Sequence, residues 1–145
     1  MNYHRPVKRE ISEKNFNVGT HAATISKIKA TKSRKGADMF MMFLMGKNGE
    51  KGVYFLTFGN DFTQNNLNFI LASIEDNGVD IPDMMFGYNP HTTDFMVGKN
   101  VYISVEDQFY NGETKPSVTV FLSQHEFENS AEEEVVEAGE WETSN

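Results

Sequence analysis

Cysteine is absent from the 145-residue chain, and proline, tryptophan and long apolar runs are scarce. Without cysteine there is no disulfide scaffold, thiol nucleophile or Cys-ligated zinc. No run approaches the ~20 apolar residues of a membrane helix. The first ten residues, MNYHRPVKRE, lack the apolar stretch of a signal peptide, so we expect a cytoplasmic protein. The length suits one domain.

Patterns that carry catalysis or bind metals are also missing. The turn GKNGEKG opens no helix, so it is not a phosphate-binding loop, and no serine lies in a Gly-x-Ser-x-Gly elbow. Asp76, Asp80 and Asp83 lack the spacing of a calcium loop. We therefore expect a protein that is not an enzyme and carries no cofactor or metal. The histidines, which show no metal-site spacing, are His4, His21, His91 and His125.

The net charge of −8 conceals a strong asymmetry along the chain. Residues 1–60 hold eleven Lys/Arg against four Asp/Glu, whereas residues 61–127 hold two against ten. The last eighteen residues hold seven Glu and no basic residue. A basic beginning and an acidic end point to a polyanionic partner and an acidic tail.

The apolar pattern predicts five strands and one helix. Alternation over residues 19–30 predicts a first strand, with a bulge where the phase changes between Ile25 and Ile28. The polar, basic segment 31–38 is a loop. Two apolar runs, 39–45 and 53–58, flank an Asn-Gly turn and form a hairpin, but neither face of either run can be assigned.

A helix follows the hairpin. Apolar residues recur at i, i+3, i+4 and i+7 between Leu67 and Ile74, and this spacing predicts the helix. Asn60 or Asp61 is its N-cap, and Gly78 ends it. Residues 79–97 have no steady period and form an irregular crossing. Residues 101–105 and 118–122 alternate as two further strands around a second hairpin turn at Asn111 and Gly112.

This order is that of an all-β fold: an OB-fold, a five-stranded Greek-key barrel with a helix between strands 3 and 4. The alternative is a generic α+β sheet with the helix on one face. We expect a basic N-terminal arm at 1–18, the barrel domain at 19–127 and a disordered acidic tail at 128–145. An edge strand or the arm could pair subunits, although no sequence feature demands it.

Cations and aromatic residues converge on one expected face. Single-stranded nucleic acid is held by cations that follow the phosphates and by rings that stack on the bases. About half of the strand aromatics must fill the core, and Phe40, Phe43, Phe55 and Phe58 are core candidates. Tyrosines are favoured for exposure because a hydroxyl tolerates water. Tyr102 and Phe121 are expected to point outward, since they alternate with the Val/Ile/Leu set. The predicted nucleic-acid-binding residues are Lys27, Lys29, Lys32, Arg34, Lys35, Tyr54, Phe58, Tyr102, Phe109, Tyr110 and Lys115. The alternative is that the basic loop is simply solvated.

The acidic tail contains the protein's single tryptophan. Such a segment can imitate a nucleic-acid backbone and occupy the basic groove, or it can dock on a partner through Trp141. The alternative is a tail that only improves solubility. The residues predicted to bind partners are Glu132, Glu133, Glu134, Glu137, Glu140, Trp141 and Glu142.

Three segments carry a family resemblance: GTHAATISKIKATKSRKG, FMVGKNVYISVEDQFYNGETKPSVTVFLS and the acidic tail. With them the chain resembles phage-type single-stranded-DNA-binding proteins. The resemblance implies non-sequence-specific coating of unpaired DNA during phage DNA replication and recombination, in the host cytoplasm. It also implies a homo-oligomer, with a dimer as the first expectation, and a tail that recruits replication or recombination proteins. Tails of this class often end in a hydrophobic residue, whereas this one ends in Thr-Ser-Asn.

Two other functions stay open. One is a protein-interaction adaptor on an OB-type barrel, used in phage assembly or host takeover, in which the Met-rich second strand is an adaptable contact surface. The other is an RNA-binding OB domain, which the sequence cannot separate from one that binds DNA. The methionines of the second strand are Met39, Met41, Met42 and Met45.

Overall fold

A computed structural model describes residues 15–130 of the chain. The predictions made for residues 1–14 and for the tail beyond 130, Trp141 included, lie outside the described residues. The described part is mostly β, with five strands and three helices. The elements are β1 (Gly19–Lys32), β2 (Asp38–Gly46), β3 (Lys51–Thr57), α1 (Thr63–Asp76), α2 (Pro90–Met96), β4 (Asn100–Tyr110), β5 (Glu113–Leu122) and α3 (124–130).

The five strands form one antiparallel sheet in the order β3-β2-β1-β4-β5. The long central strand β1 pairs with β4 through its first half and with β2 through most of its length. Its register shifts between Ile25 and Lys27, which confirms the predicted bulge. A bulge bends the strand and increases its twist, so one strand can serve both halves of a curled sheet.

The sheet curls until its two edge strands touch. Tyr54 of β3 and Phe121 of β5 meet edge to face, with ring centroids 4.9 Å apart. Further along this contact, Gly52 leaves room for the buried ring of Phe16, and a Cβ at Gly52 would lie 3.0 Å from both that ring and a methyl of Val118. Side chains therefore pack the contact between β3 and β5, which we call the seam. At one end of the seam, Asn15 forms a parallel bridge to Lys51, the first residue of β3.

Helix α1 closes one side of the core. Three residues of its predicted apolar stripe, Leu67, Ile70 and Ile74, are fully buried, and the fourth, Leu71, is partly buried against the same core. Ser73 ties the helix to β4, because its hydroxyl accepts from the Tyr102 N–H at 2.8 Å and donates to the Tyr102 carbonyl at 3.3 Å. None of the helices among residues 15–130 has the length and hydropathy to cross a membrane.

The prediction of a single helix is wrong, because α2 and α3 accompany α1. Helix α2 lies in the stretch expected to be irregular, where Asn89 caps it by accepting from the Thr92 N–H at 2.9 Å and Pro90 occupies its first turn. Seven residues are too few to show a helical period. The predicted cap of α1 is also wrong: the cap position is Phe62, and Asn60 instead accepts the Phe62 N–H at 2.8 Å.

Two described segments lie at the ends of the expected barrel domain. Phe16, assigned to the arm, is a core residue, and residues 124–130 are helical.

Two aromatic side chains point the opposite way from that expected. Phe121 is buried and Val120 is exposed, because the β4–β5 register shift leaves Thr119 unpaired and moves Val118 and Phe121 to the same side. In β3, Tyr54 is only 9% exposed, so the prediction that it is exposed is wrong. The core candidate Phe55 is instead 51% exposed.

Candidate functional site

A groove of about 1000 Å³ runs along the outside of the sheet where the two edges meet. The β1–β2 loop forms one end, β2 and β3 form the floor, and the β4–β5 hairpin forms the opposite wall. Its lining residues are Lys32, Ser33, Arg34, Met39, Val53, Tyr54, Phe55, Gln108, Phe109, Lys115, Ser117, Val118 and Thr119. The groove is cationic at both ends and apolar along its floor.

The β1–β2 loop is a compact turn rather than a loose segment. The Ser33 N–H donates to the Ala37 carbonyl at 2.8 Å, and the Ala37 N–H donates back to the Ser33 hydroxyl at 3.0 Å. Gly36 takes a positive φ of 85°, which glycine adopts without strain. These contacts hold Lys32 and Arg34 at the mouth of the groove.

Two groove cations already have carboxylate neighbours. Lys32 forms an ion pair with Asp38, and this hydrogen bond raises the pKa of the Lys32 ammonium. Lys115 lies 3.4 Å from Glu113. All four side chains are exposed, and such surface pairs contribute little to stability. An incoming anion could replace either carboxylate at little cost.

Two aromatic rings in the groove are exposed to solvent. Phe55 on β3 is 51% exposed, and Phe109 on β4 is 67% exposed. Two exposed phenylalanines in one groove form an apolar patch, and such patches mark binding sites on protein surfaces. Phe55 lies on the floor and Phe109 on the hairpin wall, so a flat ligand in the groove meets an apolar surface on two sides.

The outer face of β1 and β2 extends this surface. Residues i and i+2 of a strand share a face, so Met39, Met41 and Phe43 form one row. Lys27 pairs with Phe43, with its ammonium 5.8 Å from the ring centroid, and Lys29 pairs with Met41. The row continues the groove floor toward a second pair of cations.

The β4–β5 hairpin projects beyond the rest of the sheet. Pairing of β4 with β1 ends at Val105, so residues 106–117 form a two-stranded arm. Asn111 and Gly112 both take positive φ, 51° and 80°, as a two-residue turn of the mirror-image type requires. Tyr110 precedes that turn, and its side chain lies outside the described part of the structure.

The structure brings together five of the predicted binding residues and separates the others. Lys27 and Lys29 occupy the adjoining face, and Lys35 is exposed in the loop without lining the groove. Phe58 is partly buried against Phe40 and Tyr88, with ring centroids 4.9 and 5.2 Å away, so its ring is not free to stack. The predicted residues that line the groove are Lys32, Arg34, Tyr54, Phe109 and Lys115.

Tyr102 is the clearest departure. Its ring stacks on Phe127 of α3, with centroids 4.5 Å apart and planes 16° apart. The expected outward-facing aromatic is therefore covered by a helix that the sequence did not predict.

Phe55 is the main residue that sequence reasoning missed. Its strand, KGVYFLT, is equally apolar on both faces, so no local signal separates Phe55 from Tyr54. Only the pairing with β2, which sets Tyr54 opposite the buried Met42 and Phe55 opposite Met41, decides the faces.

Among residues 15–130, no group of three or more His, Asp or Glu side chains could hold a metal ion. The chain matches none of the known protein-family models, and no curated protein matches it.

Proposed function

We propose that the protein binds single-stranded DNA without sequence preference and coats unpaired DNA during phage replication and recombination. The observation that carries the proposal is the groove, in which Lys32, Arg34 and Lys115 surround the exposed rings of Phe55 and Phe109. Cations along a groove with aromatic stacking platforms are the usual means of binding single strands.

The proposed architecture is an OB-type barrel. It is supported by the strand order β3-β2-β1-β4-β5, by the contact between Tyr54 and Phe121 across the two edges, and by the position of α1 between β3 and β4 in the chain. In such barrels the loop between strands 1 and 2 and the loop between strands 4 and 5 flank the ligand. The same two loops border the groove here.

Binding would proceed by exchange of ionic partners. A DNA phosphate takes the place of Asp38 on Lys32 and of Glu113 on Lys115, while unpaired bases cover Phe55 and Phe109. Each stacked base contributes about 1–3 kcal/mol. In a duplex the base faces are already stacked on one another, so only an unpaired strand can offer them to the two rings.

The acidic tail completes the proposal. Trp141 and the six tail glutamates predicted to bind partners would occupy the groove when DNA is absent and recruit replication or recombination proteins when DNA displaces them. The protein would act by binding alone, without turnover.

Fluorescence anisotropy of a labelled poly-dT oligomer at several salt concentrations tests the function. Counterion release predicts a log K that falls with log salt by about 0.7 for each phosphate contacted. We expect the triple change Lys32→Ala, Arg34→Ala and Lys115→Ala to reduce that slope by about two. Lys47→Ala, in the exposed β2–β3 turn, is the matched control.

A duplex of equal length should bind far more weakly than the single strand. An unchanged slope in the triple variant would remove these cations from the proposal. If poly-dT fails to bind even after the tail is neutralised, the adaptor function takes precedence, with the half-buried Met39 and Met41 on its contact surface. Competition between matched DNA and RNA oligomers tests the RNA-binding alternative.

A further inference from the structure

A second exposed apolar surface lies on the helical side of the β3–β5 seam. It surrounds a recess of about 130 Å³ between α1, β5 and α3. Phe69 of α1 is 51% exposed there. Phe62, the cap residue seven positions earlier, is 70% exposed and lies on the same side of the helix. We name this surface the α1–α3 face. It comprises Phe62, Asn66, Phe69, Val120 and Glu126.

The surroundings of this face are acidic. Segments 60–76 and 123–130, which contain α1 and α3, hold five carboxylates and no Lys or Arg. Glu126 borders the recess itself. Its complement is a segment with apolar side chains for the recess and positive charges for the rim. A nucleic-acid strand and the acidic tail would both be repelled.

Residues 1–14 of the chain have that composition. They carry the apolar residues Tyr3, Val7 and Ile11, and they hold four Lys/Arg, three of them within residues 1–9, against two Glu. We propose that residues 1–14 of one copy dock on the α1–α3 face of a second copy. This association goes beyond DNA binding and requires no DNA.

The direction of the chain favours a second copy over the same molecule. Asn15 pairs with Lys51 in parallel, so the chain enters the described structure moving from the Lys51 end of β3 toward Tyr54. The recess lies ahead of this entry point, beside Tyr54 and Val120. The arm of the same copy would have to reverse its course to reach the recess, whereas a neighbour's arm can approach it directly.

Because the arm and the face are different surfaces, copies can add head to tail in a row. A row of this kind suits a protein that coats a strand.

Sedimentation velocity of the full chain without DNA, over a range of concentrations, tests the proposal. We expect dimers and larger species at low salt, weakening as salt rises. A face variant, Phe62→Ser with Phe69→Ser, and an arm variant, Arg5→Glu with Lys8→Glu and Arg9→Glu, should each associate about tenfold or more weakly. Met85→Ser, at an 88% exposed site, is the control and should behave as wild type.

Mixing the two variants gives the decisive result. The face variant keeps its arm and the arm variant keeps its face, so the mixture should form a 1:1 dimer and nothing larger. A mixture of monomers, a full chain that is monomeric at every concentration, or a face variant that associates like wild type would each overturn the proposal.

A labelled peptide of residues 1–14 provides a test that does not depend on folding of the face variant. It should bind the full-length arm variant and be displaced by salt, and a failure to bind would also overturn the proposal. Since no DNA is present, either result leaves the function of the groove untouched.

Discussion

The groove and the α1–α3 face lie on either side of one seam, and Tyr54 borders both. Each displays a phenylalanine with the same 51% exposure, Phe55 in the groove and Phe69 on the face. Their electrostatic surroundings are opposite. Phe55 lies among Lys32, Arg34 and Lys115, whereas Phe69 lies beside Glu126 on a surface formed by segments without Lys or Arg.

An exposed aromatic ring therefore does not identify its ligand. The ring supplies apolar contact area to any partner, while the charges around it select the sign of that partner. In the groove they favour a polyanion, and on the α1–α3 face they favour a basic segment. The net charge of −8 is a sum over the whole chain, and it describes neither of the two regions.

Opening the seam should damage both regions together, and this is the largest effect we expect. Phe16 fills the space beside Gly46, Gly52 and Val118, so Phe16→Ala leaves a cavity between the sheet edges. The loss of unfolding free energy should be about 3–5 kcal/mol, measured by urea denaturation. Val18→Ala, at an exposed neighbouring site, should change it little. Equal stability of the two variants would show that the seam does not depend on Phe16.

Replacing the two phenylalanines one at a time should separate the function of the groove from that of the α1–α3 face. Phe55→Ser should weaken poly-dT binding by about 1–3 kcal/mol, the contribution of one stacked base. Phe69→Ser removes a ring of equal exposure and should leave DNA binding unchanged while weakening self-association. Anisotropy with poly-dT and sedimentation without DNA give the two readouts. If both variants lose DNA binding alike, the two regions are not distinct.

Local periodicity predicted the parts of the fold that depend on local signals. The β1 bulge, the five strands and the buried stripe of α1 follow from alternation and turn residues, and all are present. Helix α2 has only seven residues, and the described part of α3 is equally short, so neither shows a period that stands out.

The faces of β3 and β5 depend on pairing between strands, which no single segment reveals. Phe121 turns inward because Thr119 is left out of the ladder, and Tyr54 turns inward because β2 sets it opposite Met42. The same dependence on strand pairing limited the prediction of the candidate site. Its loop and hairpin cations were identified directly, whereas the choice between adjacent aromatics required the register.

Neutralising the tail should tighten DNA binding moderately at low salt. Changing six tail residues to glutamine, in the full chain, removes the anion that would compete with DNA for the groove but leaves the α1–α3 face intact. Anisotropy with poly-dT at low and high salt measures the effect, which should vanish at high salt as screening increases. Weaker binding at low salt would contradict competition by the tail. The residues to change are Glu132, Glu133, Glu134, Glu137, Glu140 and Glu142.

The smallest effect concerns Tyr54, the residue shared by the two regions. Burial raises the pKa of its hydroxyl above the ordinary value of 10.0. Above about pH 10 the tyrosine of the unfolded chain loses its proton while that of the folded chain retains it, so the folded state binds more protons and stability falls as pH rises. Tyr54→Phe should therefore lose less stability between about pH 8 and pH 11, measured as urea midpoints. Comparing the two pH values cancels any constant effect of the missing hydroxyl. If wild type and variant decline in parallel, Tyr54 ionises as freely in the folded chain as in the unfolded one, and the seam is open to water at this position.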